Sequence, residues 1–148
     1  TIGLSTLYLA SSDRNRKVIS VGDSENIIQF AREVLKKNKV ENTEFKNKVA
    51  KETVLAVAES LEEVDFLYLG RSLPADKIKE VVDALECSIT SRTVMVMSDI
   101  YKTKQKELVW NELKKHSKVR VSLDMFHYGI LVCDEALQKE DYNFFFLP

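Results

Sequence analysis

Val119-Arg120-Val121-Ser122-Leu123-Asp124-Met125-Phe126-His127-Tyr128-Gly129-Ile130-Leu131-Val132-Cys133-Asp134 reads as a strand, a short corner, a lone His, and a second apolar strand that ends in Asp. His and Asp seven apart, at the two ends of one strand, can mark a phosphate-handling site. The position two after the His, where a Lys would complete such a site, is Gly129. This stretch therefore points to a scaffold more strongly than to a reaction.

Working outward, strands are expected over residues 119–123, 128–133 and 143–147, with short connections that turn them back antiparallel. Upstream, residues 102–116 read as a helix burying Leu108, Val109 and Leu113, with Trp110 on its apolar side. Thr93-Val94-Met95-Val96-Met97 and Val64-Asp65-Phe66-Leu67-Tyr68-Leu69 are near-continuous apolar runs, as strands covered on both faces tend to be. Between them Pro74 fits the first turn of a helix whose Ile78, Val81, Val82 and Leu85 form one stripe. Asn42-Thr43-Glu44 is read as opening a helix that carries Val49, Ala50, Val54, Val57 and Leu61. Residues 4–10 and 17–21 read as a β-hairpin around Ser11-Ser12-Asp13-Arg14-Asn15-Arg16, and a helix follows from Ser24.

Strands that alternate with helices require right-handed crossovers and a mainly parallel sheet. The expected fold is α/β: a mixed, mainly parallel sheet flanked by helices and ending in antiparallel strands. One domain over 1–148 is expected, with a hairpin-plus-helix addition at 1–43 and the main body at 44–148.

The chain has 148 residues, enough for a real core. Its 22 basic and 23 acidic residues nearly cancel, so no global field draws it to nucleic acid or an anionic membrane. No apolar run approaches the ~20 residues of a membrane span, and no signal-peptide pattern is visible. Cys87 and Cys133 lie far apart in apolar segments and read as buried, reduced thiols of a cytoplasmic protein. His and Cys do not cluster at ligand spacing, so no metal is expected, and no cofactor motif is present.

The element order and the closing strands resemble one half of a phospholipase D-like fold over roughly residues 50–148. That family carries a His-x-Lys-x4-Asp motif, matched here by His127 and Asp134 with Gly129 in place of Lys. The resemblance implies His127 as a phosphodiester nucleophile and Asp134 as its support, in a dimer that joins two half-sites. Gly129 lacks the cation that would stabilise transition-state charge, a loss worth ~10²–10³ in rate. Halves with eroded motifs also resemble the effector domains of sugar-responsive archaeal regulators of the TrmB type. The expectation is a non-catalytic regulatory or interaction domain binding a protein partner or small anionic ligand, with a phosphodiesterase or nuclease as the alternative.

The best pocket expectation is Leu69-Gly70-Arg71-Ser72, after one buried strand, with Ser98-Asp99 after the next. In an open α/β sheet both lie at the carboxyl edge, where ligands bind. Gly70 lets backbone approach a ligand, and Arg71 grips phosphate or carboxylate bidentately. The plainer alternative makes Gly70 a turn, Ser72 a cap and Arg71 a solvated side chain. Gly22-Asp23-Ser24-Glu25 reads as a capping turn, without the glycine spacing of a nucleotide loop. Lysines 102, 104, 106, 114, 115 and 118 give one helix a basic side, interrupted by Glu107 and Glu112, so nucleic acid is a weak partner expectation. Gly70, Ser98 and His127 are expected to gather at one sheet edge.

Overall fold

The computed structural model describes residues 3–48 and 50–144. The chain divides into two compact units, Thr1–Val54 and Leu55–Pro148.

The first unit holds α1 (Leu4–Ser12), β1 (Val18–Gly22), α2 (Glu25–Lys37) and β2 (Thr43–Asn47). The expected hairpin is not formed, because residues 4–12 are helical. Leu7 and Ala10, one turn apart, pack against Ala31, Leu35 and Val40, a pairing that a strand would split between two faces. Gly3 permits that packing. Its φ is +68°, and a Cβ there would stand 2.7 Å from the Ala31 Cβ.

The helix expected to open at Asn42 is replaced by β2, which pairs parallel with β1 from Val18↔Thr43 to Gly22↔Asn47. Asn42 does not cap a helix. Its side-chain nitrogen reaches the carbonyls of Ala10, Asp13 and Arg16 at 3.0, 3.1 and 2.7 Å, so it ties the end of α1 to the start of β2. The helix begins later, as α3 (Lys51–Glu59), which spans the border between the units. Val49 lies outside the described residues.

The second unit contains β3 (Val64–Leu69), α4 (Ala75–Ala84), a 3-10 turn (Glu86–Ser88), β4 (Ile89–Ser98), α5 (Lys104–Lys114), β5 (Val121–Asp124), β6 (Tyr128–Val132) and β7 (Glu140–Asn143). Its sheet runs β3-β4-β6-β5-β7. β3 and β4 are parallel, β6 is antiparallel to both β4 and β5, and β7 is parallel to β5. The mixed, mainly parallel α/β sheet is thus as expected. Of the closing strands, only β6 turns back. The last strand lies at 140–143, earlier than the expected 143–147, of which residues 145–147 fall outside the described part.

The core of this unit alternates along β4. Thr93, Met95 and Met97 are buried, and Met95 and Met97 cluster with Leu131 of β6, Ile78 and Val82 of α4, and Trp110 and Leu113 of α5, while the Thr93 hydroxyl donates to the Val64 carbonyl at 2.6 Å. Trp110 is fully buried, in line with its place on the apolar side of the helix. Leu108, expected inside, is exposed. Cys133 is buried, and burial pushes its thiol pKa up, whereas Cys87 is exposed on the 3-10 turn. No helix among the described residues is long and apolar enough to cross a membrane.

Candidate functional site

β3 and β4 run in the same direction, so their carboxyl ends meet at one edge of the sheet, where β6 begins. Leu69 lies beside Met97 and Ser98 beside Tyr128. Gly70, Arg71, Ser98, Asp99 and His127 therefore share this edge, as strand direction required. Two of them also have partners within the fold. Ser98 is buried, and its hydroxyl donates to the Leu69 carbonyl at 3.3 Å, so it staples β4 to β3. Gly70 turns the chain, its carbonyl accepting from the Leu73 amide at 3.1 Å, and Ser72 is exposed in the same turn. A Cβ on Gly70 would make only an ordinary contact, with the Tyr68 ring at 3.7 Å.

Asp99 organises the edge. It holds φ +54°, a left-handed backbone that Asp tolerates better than most residues. Its amide donates to the His127 carbonyl at 2.6 Å, and its carboxylate accepts from Arg71 Nε at 2.6 Å. The Asp99 side chain is only 14% exposed, against 69% for Arg71. The Arg71 hydrogen bond holds the Asp99 carboxyl below its ordinary pKa despite opposing desolvation, and Asp99 raises Arg71 in turn. Beneath them Lys106, read above as part of a basic helix side, is buried and donates to the Arg71 carbonyl at 3.0 Å. Desolvation lowers its pKa, the Asp99 charge opposes that, and Lys102 and Arg71 add to the lowering. The result fixes the Arg71 backbone while leaving the guanidinium outward.

The corner between β5 and β6 completes the edge. Asp124 is buried, accepts the Phe126 amide at 3.0 Å, and receives the Tyr101 hydroxyl. Burial first, then the Asp124 bond, pushes the Tyr101 phenol up to about 12. Phe126 sits at φ +65°, with its ring 5.8 Å from Tyr101 and edge-on to His127 at 5.0 Å between centroids. Asp124 and Phe126 were missed in the sequence, although Asp two residues before a corner residue is an Asx-turn signal. Lys106 offered no signal, because its neighbours at 102 and 104 are exposed lysines.

The His127 and Asp134 pair is not brought together. They flank the five residues of β6, about 20 Å apart at ~3.3 Å per residue. Asp134 closes its own turn by accepting the Ala136 amide at 3.0 Å. The intervening Gly129 is a core position, where a Cβ would stand 2.5 Å from the Trp110 ring. A lysine there would have to enter that ring, so the position never faced a site.

No family model matches the sequence, and no curated protein matches it. Solved structures do. A Staphylococcus aureus protein assigned as a caffeoyl-CoA O-methyltransferase superposes with TM-score 0.74 at 14% identity, covering 89% of this chain and 71% of its own. The precorrin-6y C5,15-methyltransferase of Geobacter metallireducens gives 0.62 at 18%, covering 77% of this chain. A Streptococcus mutans protein assigned as a methyltransferase, in complex with SAH, gives 0.64 at 11%, covering 88% and 82%. The fold is the Rossmann-like one of these methyltransferases. The chain spans 56% of the Geobacter enzyme's length. This likeness overturns the phospholipase D-like resemblance, and with it the reading as a non-catalytic regulator or as a phosphodiesterase.

Proposed function

We propose that this chain serves methyl transfer, with substrate received at the carboxyl edge of β3 and β4. The fold shared with methyltransferases carries the reading. The polar edge of Arg71 and Asp99 supports it, since α/β sheets bind ligands outside their strand carboxyl ends. When bound, S-adenosylmethionine supplies a methyl group on a positively charged sulfur, leaving SAH.

The donor set of the first unit fits the nucleoside part of that group. Gly22 ends β1 with nothing closer to a Cβ than Ile28 at 3.9 Å, and Asp23 follows with an exposed side chain. A carboxylate at this place accepts from ribose hydroxyls, as acidic residues beyond a strand do in dinucleotide sites. Ser24 keeps the turn in shape by accepting the Ile27 amide at 3.4 Å as the cap of α2.

In the second unit Arg71 grips an anionic substituent of the substrate, and Asp99, kept ionised, holds Arg71 in place. Gly70 and Ser72 supply backbone and hydroxyl contacts in the same turn. The reduced cysteines accord with a cytoplasmic location. Titration calorimetry with SAH tests the reading: binding should be measurable in the full chain and weakened about tenfold by Asp23→Ala. Absence of heat up to millimolar SAH refutes it.

A further inference from the structure

The corner between β5 and β6 holds a cluster that anchoring does not explain. Phe126, 52% exposed, is a bulky residue at positive φ, where a side chain costs of order 1–2 kcal/mol. Asp99, one hydrogen bond away through the His127 carbonyl, is a second non-glycine residue at positive φ. Two strained turns are thus tied to each other at the edge where ligand is expected, and strain of this kind concentrates at functional sites. Buried Asp124, fixed by Tyr101 and by the Phe126 amide, enforces the second turn. The effect is to hold the Phe126 ring in solvent beside Tyr101, His127 and Tyr128, all exposed, instead of letting it fold inward. Tyr128 stands close enough to Arg71 to act on its charge.

We propose that Phe126, backed by Tyr101 and His127, is a stacking platform that selects a planar aromatic substrate, whose anionic substituent is held by Arg71. An aromatic face supplies offset-stacked or edge-to-face contact that a saturated ring cannot match. Arg71 has only Nε committed to Asp99 among the contacts described, so its fork remains for a carboxylate or phosphate. Asp124 is a positioning residue here: it touches no substrate and sets the ring through the backbone. The inference rests on the preceding reading only in calling the bound ring a substrate.

The test compares 2-naphthoate with cyclohexanecarboxylate, probes that share the carboxylate and differ in the ring. In NMR titrations of the full chain, 2-naphthoate should shift the Phe126, Tyr101 and His127 ring signals and bind about three- to tenfold tighter. Phe126→Gly removes the ring and suits the left-handed backbone, so it keeps the fold. It should bring naphthoate to the affinity of the saturated acid. Asp124→Asn should lose part of that preference while retaining carboxylate binding through Arg71. Equal affinity for the two acids, or an unchanged preference in Phe126→Gly, overturns the platform. If SAH fails to bind while naphthoate keeps its preference, the methyl-transfer reading falls and the aromatic site stands. SAH binding without any ring preference sinks the platform alone.

Discussion

Gly129→Ala should be among the most damaging single-methyl additions in this chain. The new Cβ would meet Trp110 Cζ3, Cη2 and Cε3 at 2.5, 2.6 and 2.8 Å. Carbon atoms prefer 3.5–4.0 Å, so three atoms overlap by about 1 Å at once. Trp110 cannot swing clear, because it is fully buried among Met97, Leu131 and the other core side chains. Overpacking typically costs 1–3 kcal/mol, and this site belongs at the upper end, about 3 kcal/mol. At roughly 2–4 °C per kcal/mol for a chain of this length, Tm should fall by roughly 6–12 °C. Thermal unfolding followed by circular dichroism measures this, with fluorescence of Trp110, the chain's one tryptophan, reporting the ring itself. Trp110→Phe removes the benzo atoms that collide, so the double variant should be less damaged than the summed singles by about 1–2 kcal/mol. A Gly129→Ala protein within 0.5 kcal/mol of the parent, with unshifted emission and additive singles, would refute the close approach. The account of why no lysine stands at that position would fall with it.

Tyr101→Phe leaves the buried Asp124 carboxylate one hydrogen bond short and should cost about 1–3 kcal/mol in urea unfolding. In the parent, the Tyr101 pKa is raised from 10.0 to about 12, so its contribution is complete below pH 10 and lost as pH rises toward 12. An ultraviolet tyrosinate titration should show late-ionising phenols, Tyr142 being raised as well by its bond to Glu140, and Tyr101→Phe should remove the Tyr101 share of that late phase. Lys106 is lowered from 10.5, so the fold disfavours its charge, and stability should rise with pH through the window below 10.5. Lys106→Met should change stability by less than about 1 kcal/mol and remove that rise, since replacing a buried charge by an apolar chain is often neutral. Asp99→Asn keeps a residue that accepts positive φ and loses an ion pair whose Arg71 side is exposed, so its unfolding should shift by about 1 kcal/mol while carboxylate affinity at the less firmly held Arg71 falls.

Much of the second unit could be read from the chain because its signals were redundant. β3 is a continuous apolar run with helix signals on both sides, and its bounds, Val64–Leu69, coincide with those expected. α4 showed both its Pro74 start and its Ile78–Val82 stripe. The first unit was harder, for a physical reason. Leu4-Ser5-Thr6-Leu7-Tyr8-Leu9-Ala10 contains apolar residues at both period 2 and period 3, so local sequence does not choose between strand and helix. What decides is the contact of Leu7 and Ala10 with α2 and the close approach at Gly3, and both are long-range. Asn42 misled in the same way. Its side chain bonds to carbonyls 26 to 32 residues earlier and not to the amides that follow it.

The misreading of the site came from a motif and not from the local structure. His127 and Asp134 were expected at the two ends of one strand, and they do flank β6. What misled was the weight given to two matched positions of three, with Gly129 in place of Lys. The residues gathered at this edge are instead distant in sequence and close in direction: Arg71 after β3, Asp99 after β4, Phe126 and His127 before β6. No spacing rule unites them, because their separations are set by the lengths of two crossovers. What unites them is that β3 and β4 end where antiparallel β6 begins, and that follows once the strand order β3-β4-β6 is known. Strand direction could be argued from connection lengths, so the edge was legible. The insertion of β6 between β4 and β5 could not be argued that way, and it is this pairing, Ser98 against Tyr128, that brings the aromatic corner to Arg71. If β6 lay outside β5 instead, Phe126 would face the rim of the sheet, away from Arg71 and Asp99.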